Sequence, residues 1–113
     1  MAPAIVHFLV GASIVLLALA PLALVSSRVR KWRLRAVAIG GLWGLVPDLH
    51  NVSPVYRDEL RSLHESPRAD LFAFHYTLDR PLVRDLFVES IAASILLFLV
   101  AVTVIGVACR LGS

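Results

Sequence analysis

Two long stretches of this chain carry no charge at all. Phe8 to Ser27 and Ser90 to Cys109 are each 20 residues without Asp, Glu, Lys or Arg. A helix rises about 1.5 Å per residue, so each stretch can cross a hydrocarbon core of about 30 Å. The whole chain has 113 residues, room for one domain, and 58% of them are apolar. Its mean hydropathy of +0.81 lies well beyond that of ordinary soluble domains. The sequence therefore reads as an all-α, integral membrane helical bundle, a single membrane domain over residues 1–113. The first stretch is expected to stay in the chain as a helix. No Lys or Arg precedes it, and it is longer than a signal-peptide core of about 7–15 residues. Only Ala23-Leu24-Val25-Ser26-Ser27 imitates a cleavage site.

The middle of the chain is less plain. Ala36 to Pro47 gives 12 uncharged residues, short for a span. Extended over Leu34–Asn51 it becomes a near-spanning helix kinked at Pro47, and a re-entrant half-helix is the competing geometry. Three main helices are expected, at about 5–26, 34–51 and 82–110, the second short or kinked. Gly40 and Gly44 make a small-xxx-small pair, which lets a neighbouring helix, the first, approach closely. Trp32 and Trp43 suit interfacial or packing positions. Short interfacial helices are expected in the polar segment 53–80. Ser53-Pro54 starts one that includes Leu60 and Leu63, and Ser66-Pro67 starts another running through Phe72, His75 and Leu78. Pro81 then opens the third main helix, with Asp85 and Glu89 in its first turns, near the positive end of the helix dipole.

Charge orients the bundle. Arg28, Arg30, Lys31, Arg33 and Arg35 follow the first stretch, and the net charge is +3. A basic patch can bind nucleic acid. Beside a membrane span, the positive-inside rule explains it more simply, so no nucleic-acid partner is expected. Contact with anionic lipid headgroups is compatible with the same reading. The chain then lies in the cell membrane, multi-pass, with the N-terminus and segment 52–80 outside. Five outer Arg, at 57, 61, 68, 80 and 84, are outnumbered there by eight acidic residues between 48 and 89. Cys109 is the one cysteine, so no internal disulfide forms, and its place near a membrane end makes it an acylation candidate.

This span order brings His7, Asp48, His50, His75 and Asp79 to one membrane face. His75 and Asp79 are four apart and share a helix face if that helix persists. Gly11 lies one turn from His7 and leaves space beside it. Imidazole and carboxylate together can hold one divalent metal, with zinc favoured and Mn²⁺, Fe²⁺ or Ni²⁺ also suited. A bound water acidified by that ion becomes a nucleophile for hydrolysis, and Asp48 or Glu89 could orient or deprotonate it. Each residue also has a plainer role. His7 can tolerate the headgroup zone, Asp48 can be a turn residue, and His75 can pack on an amphipathic helix. Asp79 can cap the next helix, and Glu89 can pair with a nearby Arg. His64, with Arg57, Arg61 and Glu65, reads as solvated. Two function classes follow: a metal-dependent hydrolase acting at the interface on a lipid-derived substrate, or a non-catalytic membrane interaction protein. A transporter subunit has less support, because no broken-helix repeat is visible. Homo-oligomerisation is reasonable for a bundle that exposes so much surface.

At these positions the chain resembles the membrane-bound metal-dependent hydrolase-like family that includes the LexA-binding inner-membrane proteins. The resemblance rests on His7-x-x-x-Gly11, on Leu45-Val46-Pro47-Asp48-Leu49-His50 and on His75. It covers about residues 4 to 80 by short motifs. It implies a multi-pass helical protein with a metal-dependent hydrolase site that includes His7, Asp48 and His75. The chain departs from the family pattern where His50 replaces a second Asp, and where His75-Tyr76-Thr77-Leu78-Asp79 lacks the family's Arg, second His and Ser.

Overall fold

The computed structural model describes residues 4–46, 57–72, 78 and 85–113. All regular structure among them is helical: α1 Ala4–Ala23, α2 Ser27–Leu45, α3 Arg57–His64, a short 3-10 helix Pro67–Leu71, and α4 Phe87–Gly112. Three of these build the bundle. α1 is its middle member and packs along both α2 and α4, whereas α2 and α4 scarcely touch.

The α1–α2 hairpin is tight. Pro21 lies inside the last turn of α1, and a proline there removes one N–H from the helix ladder. The helix ends two residues later. Val25 and Ser26 then donate their N–H groups to the Leu22 carbonyl at 3.1 and 2.9 Å, which turns the chain. Ser26 has an extended backbone and its hydroxyl accepts from Val29 N–H at 3.3 Å, an N-cap that starts α2. Arg28, Arg30, Lys31, Arg33 and Arg35 therefore belong to the first turns of α2, not to a turn between spans. Arg35 stacks its guanidinium over the half-exposed Trp32 ring, 4.3 Å from the centroid. Removing the cap hydroxyl by Ser26→Ala should lower stability by about 1 kcal/mol, read as a lower thermal midpoint of helical circular dichroism in detergent. Ser26→Gly should cost only a few tenths of that value.

Antiparallel packing of α1 on α2 depends on absent side chains. A Cβ on Gly40 would meet the Gly11 carbonyl oxygen at 2.8 Å. One on Gly11 would strike the Gly40 carbonyl, and one on Gly44 the His7 carbonyl. The close approach expected at Gly40 and Gly44 is thus present, and Gly11 completes it from α1. The space that Gly11 was expected to leave beside His7 is filled by the α2 backbone.

α4 runs parallel to α1. Val6 and Val10 lie across from Glu89, Ala93 and Leu97 near the helix starts. At the other end, a Cβ on Gly112 would meet the Ala23 and Leu24 carbonyl oxygens at 2.6 Å. Between these ends, Leu16, Ala20 and Ala23 form the core with Ala36 of α2 and with Ala101, Ile105, Ala108 and Cys109 of α4. Small side chains dominate it, so the helices sit close. α4 starts at Phe87, later than the expected 82, because Leu86 takes a non-helical backbone (φ −97°, ψ 52°) and offers no side-chain cap. Asp85 therefore precedes the helix and Glu89 lies in its first turn. Pro81 lies outside the described residues.

α1 and α4 are, among the described residues, the two helices long and apolar enough to cross a membrane. The uncharged part of α2, from Ala36, runs about 15 Å to Leu45, about half of a hydrocarbon core. In the polar segment, Ser66 caps the 3-10 helix Pro67–Leu71 by accepting from Arg68 N–H at 3.2 Å. This start matches the Ser-Pro signal, but the 3-10 helix stops at Leu71. Ser53 and Pro54 lie outside the described residues, and the helix expected from them is present as α3 from Arg57.

Candidate functional site

The two ends of the bundle differ in kind. At the end where α1 and α4 begin and α2 finishes, His7 is 0% exposed. α1 buries it because Gly44 brings the α2 backbone onto the His7 carbonyl, while the Phe8 ring lies over Gly41 one residue on. Val6, beside His7 in the chain, faces an apolar groove of about 330 Å³ between α1 and α4. Glu89 and Ser90 border that groove and Leu78 closes part of it. Glu89 itself is exposed. The structure thus brings a buried imidazole and an exposed carboxylate to the same end of the bundle.

Three hydroxyls nearby are already committed. Ser13 donates to Leu9 O at 2.5 Å, Ser94 to Ile91 O at 2.8 Å and Ser90 to Phe87 O at 3.0 Å. Such bonds to the preceding turn satisfy a hydroxyl in an apolar setting, and they point to packing rather than to a nucleophile. Ser90 and Ser94 line the groove, which no local sequence pattern encodes. It exists only because α1 and α4 run side by side.

Of the expected metal ligands, His7 is described, and Asp48, His50, His75 and Asp79 lie outside the described residues. Among the described residues no three of His, Cys, Asp and Glu stand close enough to share a metal ion. His7 offers an imidazole nitrogen, a donor type that suits a divalent metal, and Glu89, expected as a proton carrier rather than a ligand, offers a carboxylate. Two further expectations change. Cys109 is only 6% exposed and packs in the core at the edge of the basic end, so little of it is open to acylation in this fold. His64 closes α3 partly buried rather than solvated, beside an exposed Arg61–Glu65 ion pair of 3.3 Å.

The opposite end is basic. There the α1–α2 turn, the start of α2 and the end of α4 converge. Arg30 donates from Nη1 to the Ala23 carbonyl at 2.8 Å and so closes an open carbonyl at the end of α1. Comparison of the chain with protein-family models, with curated proteins and with solved structures finds no match. The family resemblance rests on the motifs of the sequence alone.

Proposed function

We propose that this is a multi-pass protein of the cell membrane whose His7 end is a metal-dependent hydrolytic centre acting at the membrane interface. One observation carries the reading. A fully buried imidazole sits where α2 finishes, and the next stretch of sequence is Pro47-Asp48-Leu49-His50. Membrane residence is supported by α1 and α4, and by the exposed Leu96, Leu99, Val104 and Leu111 on α4. Apolar surface of that extent is costly in water and neutral in lipid. The N-terminus and segment 52–80 are assigned to the outside by the basic residues of α2.

In this reading His7, Asp48 and His75, with Asp79 or His50 as a fourth ligand, hold one divalent ion, zinc in the first instance. Such an ion supplies Lewis acidity and acidifies a bound water. Asp48 and Glu89 are the carboxylates that take and return the proton. The apolar groove beside Glu89 suits the chain of a lipid-derived substrate, because apolar walls with one polar rim orient an amphipathic molecule.

The test is metal content after gentle purification without chelators. One equivalent of metal per chain is expected, falling below about a tenth in Asp48→Asn and His75→Gln, since removing a first ligand breaks a three- or four-ligand set. A metal-free wild-type protein refutes the hydrolase. A non-catalytic interaction protein is the second reading, favoured by the same exposed apolar face of α4, which could receive a partner helix or a second copy. It predicts no metal in any of these proteins and an α4-dependent complex.

A further inference from the structure

Every acidic residue of this chain lies between 48 and 89 in the sequence, and among the described residues no Asp or Glu lines the basic end. That end carries Arg28, Arg30, Lys31, Arg33 and Arg35 from α2 and Arg110 from α4. Six positive charges are far more than helix ends require. A helix terminus is worth about half a charge, so the two C-termini of α1 and α4, set against the N-terminus of α2, need roughly half a positive charge in all. Arg30 already serves the end of α1. Lys31, Arg33 and Arg110 are exposed and make no ion pair among the described residues.

These side chains line a shallow recess. It has a volume of about 370 Å³ and is walled by Ser27, Arg30, Lys31 and Arg33 of α2 and by Cys109, Arg110 and Ser113 at the end of α4. The recess is open, so a ligand can enter from the side. Its charge comes from two helices far apart in sequence, and only their common packing on α1 unites them. Arg28 and Arg35 are equally basic but do not border it.

We propose that this recess binds a phosphate group, carried by the headgroup of an anionic phospholipid. Arginine offers a planar fork of donors that matches phosphate oxygens, and lysine adds a point charge. The hydroxyl of Ser27 supplies a neutral donor at its wall, whereas that of Ser113 already donates to the Arg110 carbonyl at 3.0 Å. The headgroup source rests on the membrane reading above, which sets this end of α1 and α4 at the level of the headgroups. A free phosphate would use the same donors, and the experiment separates the two.

The test uses the full chain in detergent micelles, where binding does not depend on how the protein meets a bilayer. Failure of the site and failure of the membrane reading are thus separate results, the latter read by whether the protein stays with membranes after alkaline extraction. Dioctanoyl phosphatidic acid, dioctanoyl phosphatidylglycerol, dioctanoyl phosphatidylcholine and inorganic phosphate are titrated, with native mass spectrometry as the readout. One equivalent of either anionic lipid should bind, with phosphatidylcholine at least tenfold weaker. Inorganic phosphate binding as tightly as the lipids would keep the phosphate site and assign it to the free anion. Arg33→Gln/Arg110→Gln should weaken binding at least tenfold. The matched pair Arg28→Gln/Arg35→Gln removes the same charge outside the recess and should change it less than twofold. Equal losses in both pairs would show diffuse attraction and overturn the site, as would no binding of any phosphate compound. A lower thermal midpoint in the first pair would call for Arg33→Lys/Arg110→Lys, which keeps the charge and should retain binding within about threefold.

Discussion

Gly11→Ala should destabilise this protein by about 2–3 kcal/mol, and Gly106→Ala should stabilise it by up to about 1 kcal/mol. Both changes add one methyl group to a helix, and both gain the better helix propensity of alanine. What differs is the space. At Gly106 an added Cβ meets nothing within 4 Å. At Gly11 it strikes the Gly40 carbonyl oxygen, with the Gly44 Cα at 3.2 Å, and backbone cannot swing aside as a side chain can. The helices must then separate along the whole α1–α2 contact, which costs dispersion energy at every pair of facing atoms. Gly41→Ala offers an intermediate case, because the nearest atoms its Cβ meets all belong to the Phe8 ring, a side chain that can rotate away. The ranking Gly11 worst, Gly41 milder, Gly106 favourable would be read from thermal midpoints in one detergent. Equal effects at Gly11 and Gly106 would mean that α1 and α2 do not cross at these glycines.

His7→Ala should cost on the order of 2–4 kcal/mol whether or not a metal binds, because a fully buried ring is deleted and leaves a cavity. Loss of function in that variant alone would therefore say nothing about ligation. His7→Gln keeps most of the volume and a polar end, and should recover more than half of the lost stability. If the imidazole is a ligand, the glutamine variant is folded and binds metal at least tenfold more weakly. If His7 only packs, the glutamine variant is folded and unchanged in metal content. Thermal midpoint and metal stoichiometry measured on the same samples separate the two.

The features legible in the sequence were those set by local pattern. Uncharged runs announce α1 and α4, the four-residue spacing of Gly40 and Gly44 announces a close helix contact, and Ser66-Pro67 announces a helix start. The start of α2 was obscured by its composition. A run rich in Arg and Lys looks like a loop beside apolar neighbours, yet both residues are good helix formers and Ser26 stands ready as the cap. The candidate site was legible in residue type only. That His7 is buried follows from Gly44 in another helix, and that Glu89 borders a groove follows from the parallel course of α4, neither of which any local spacing encodes. The basic recess is the same lesson: Arg33 and Arg110 are 77 positions apart and meet only through α1.

The central place of α1 also dictates an order of assembly. It joins α2 through a connection of three residues, Leu24 to Ser26, but reaches α4 only across the stretch from Val46 to Leu86. Closing the longer loop costs roughly 2 kcal/mol more in chain entropy. The hairpin is therefore the early event, able to form before the last helix has been synthesised. α4 then docks on a surface that is already built, so a ribosome-stalled chain ending near residue 85, with α2 clear of the exit tunnel, should already hold α1 and α2 in contact, measurable as a disulfide between cysteines introduced at Leu19 and Ala36.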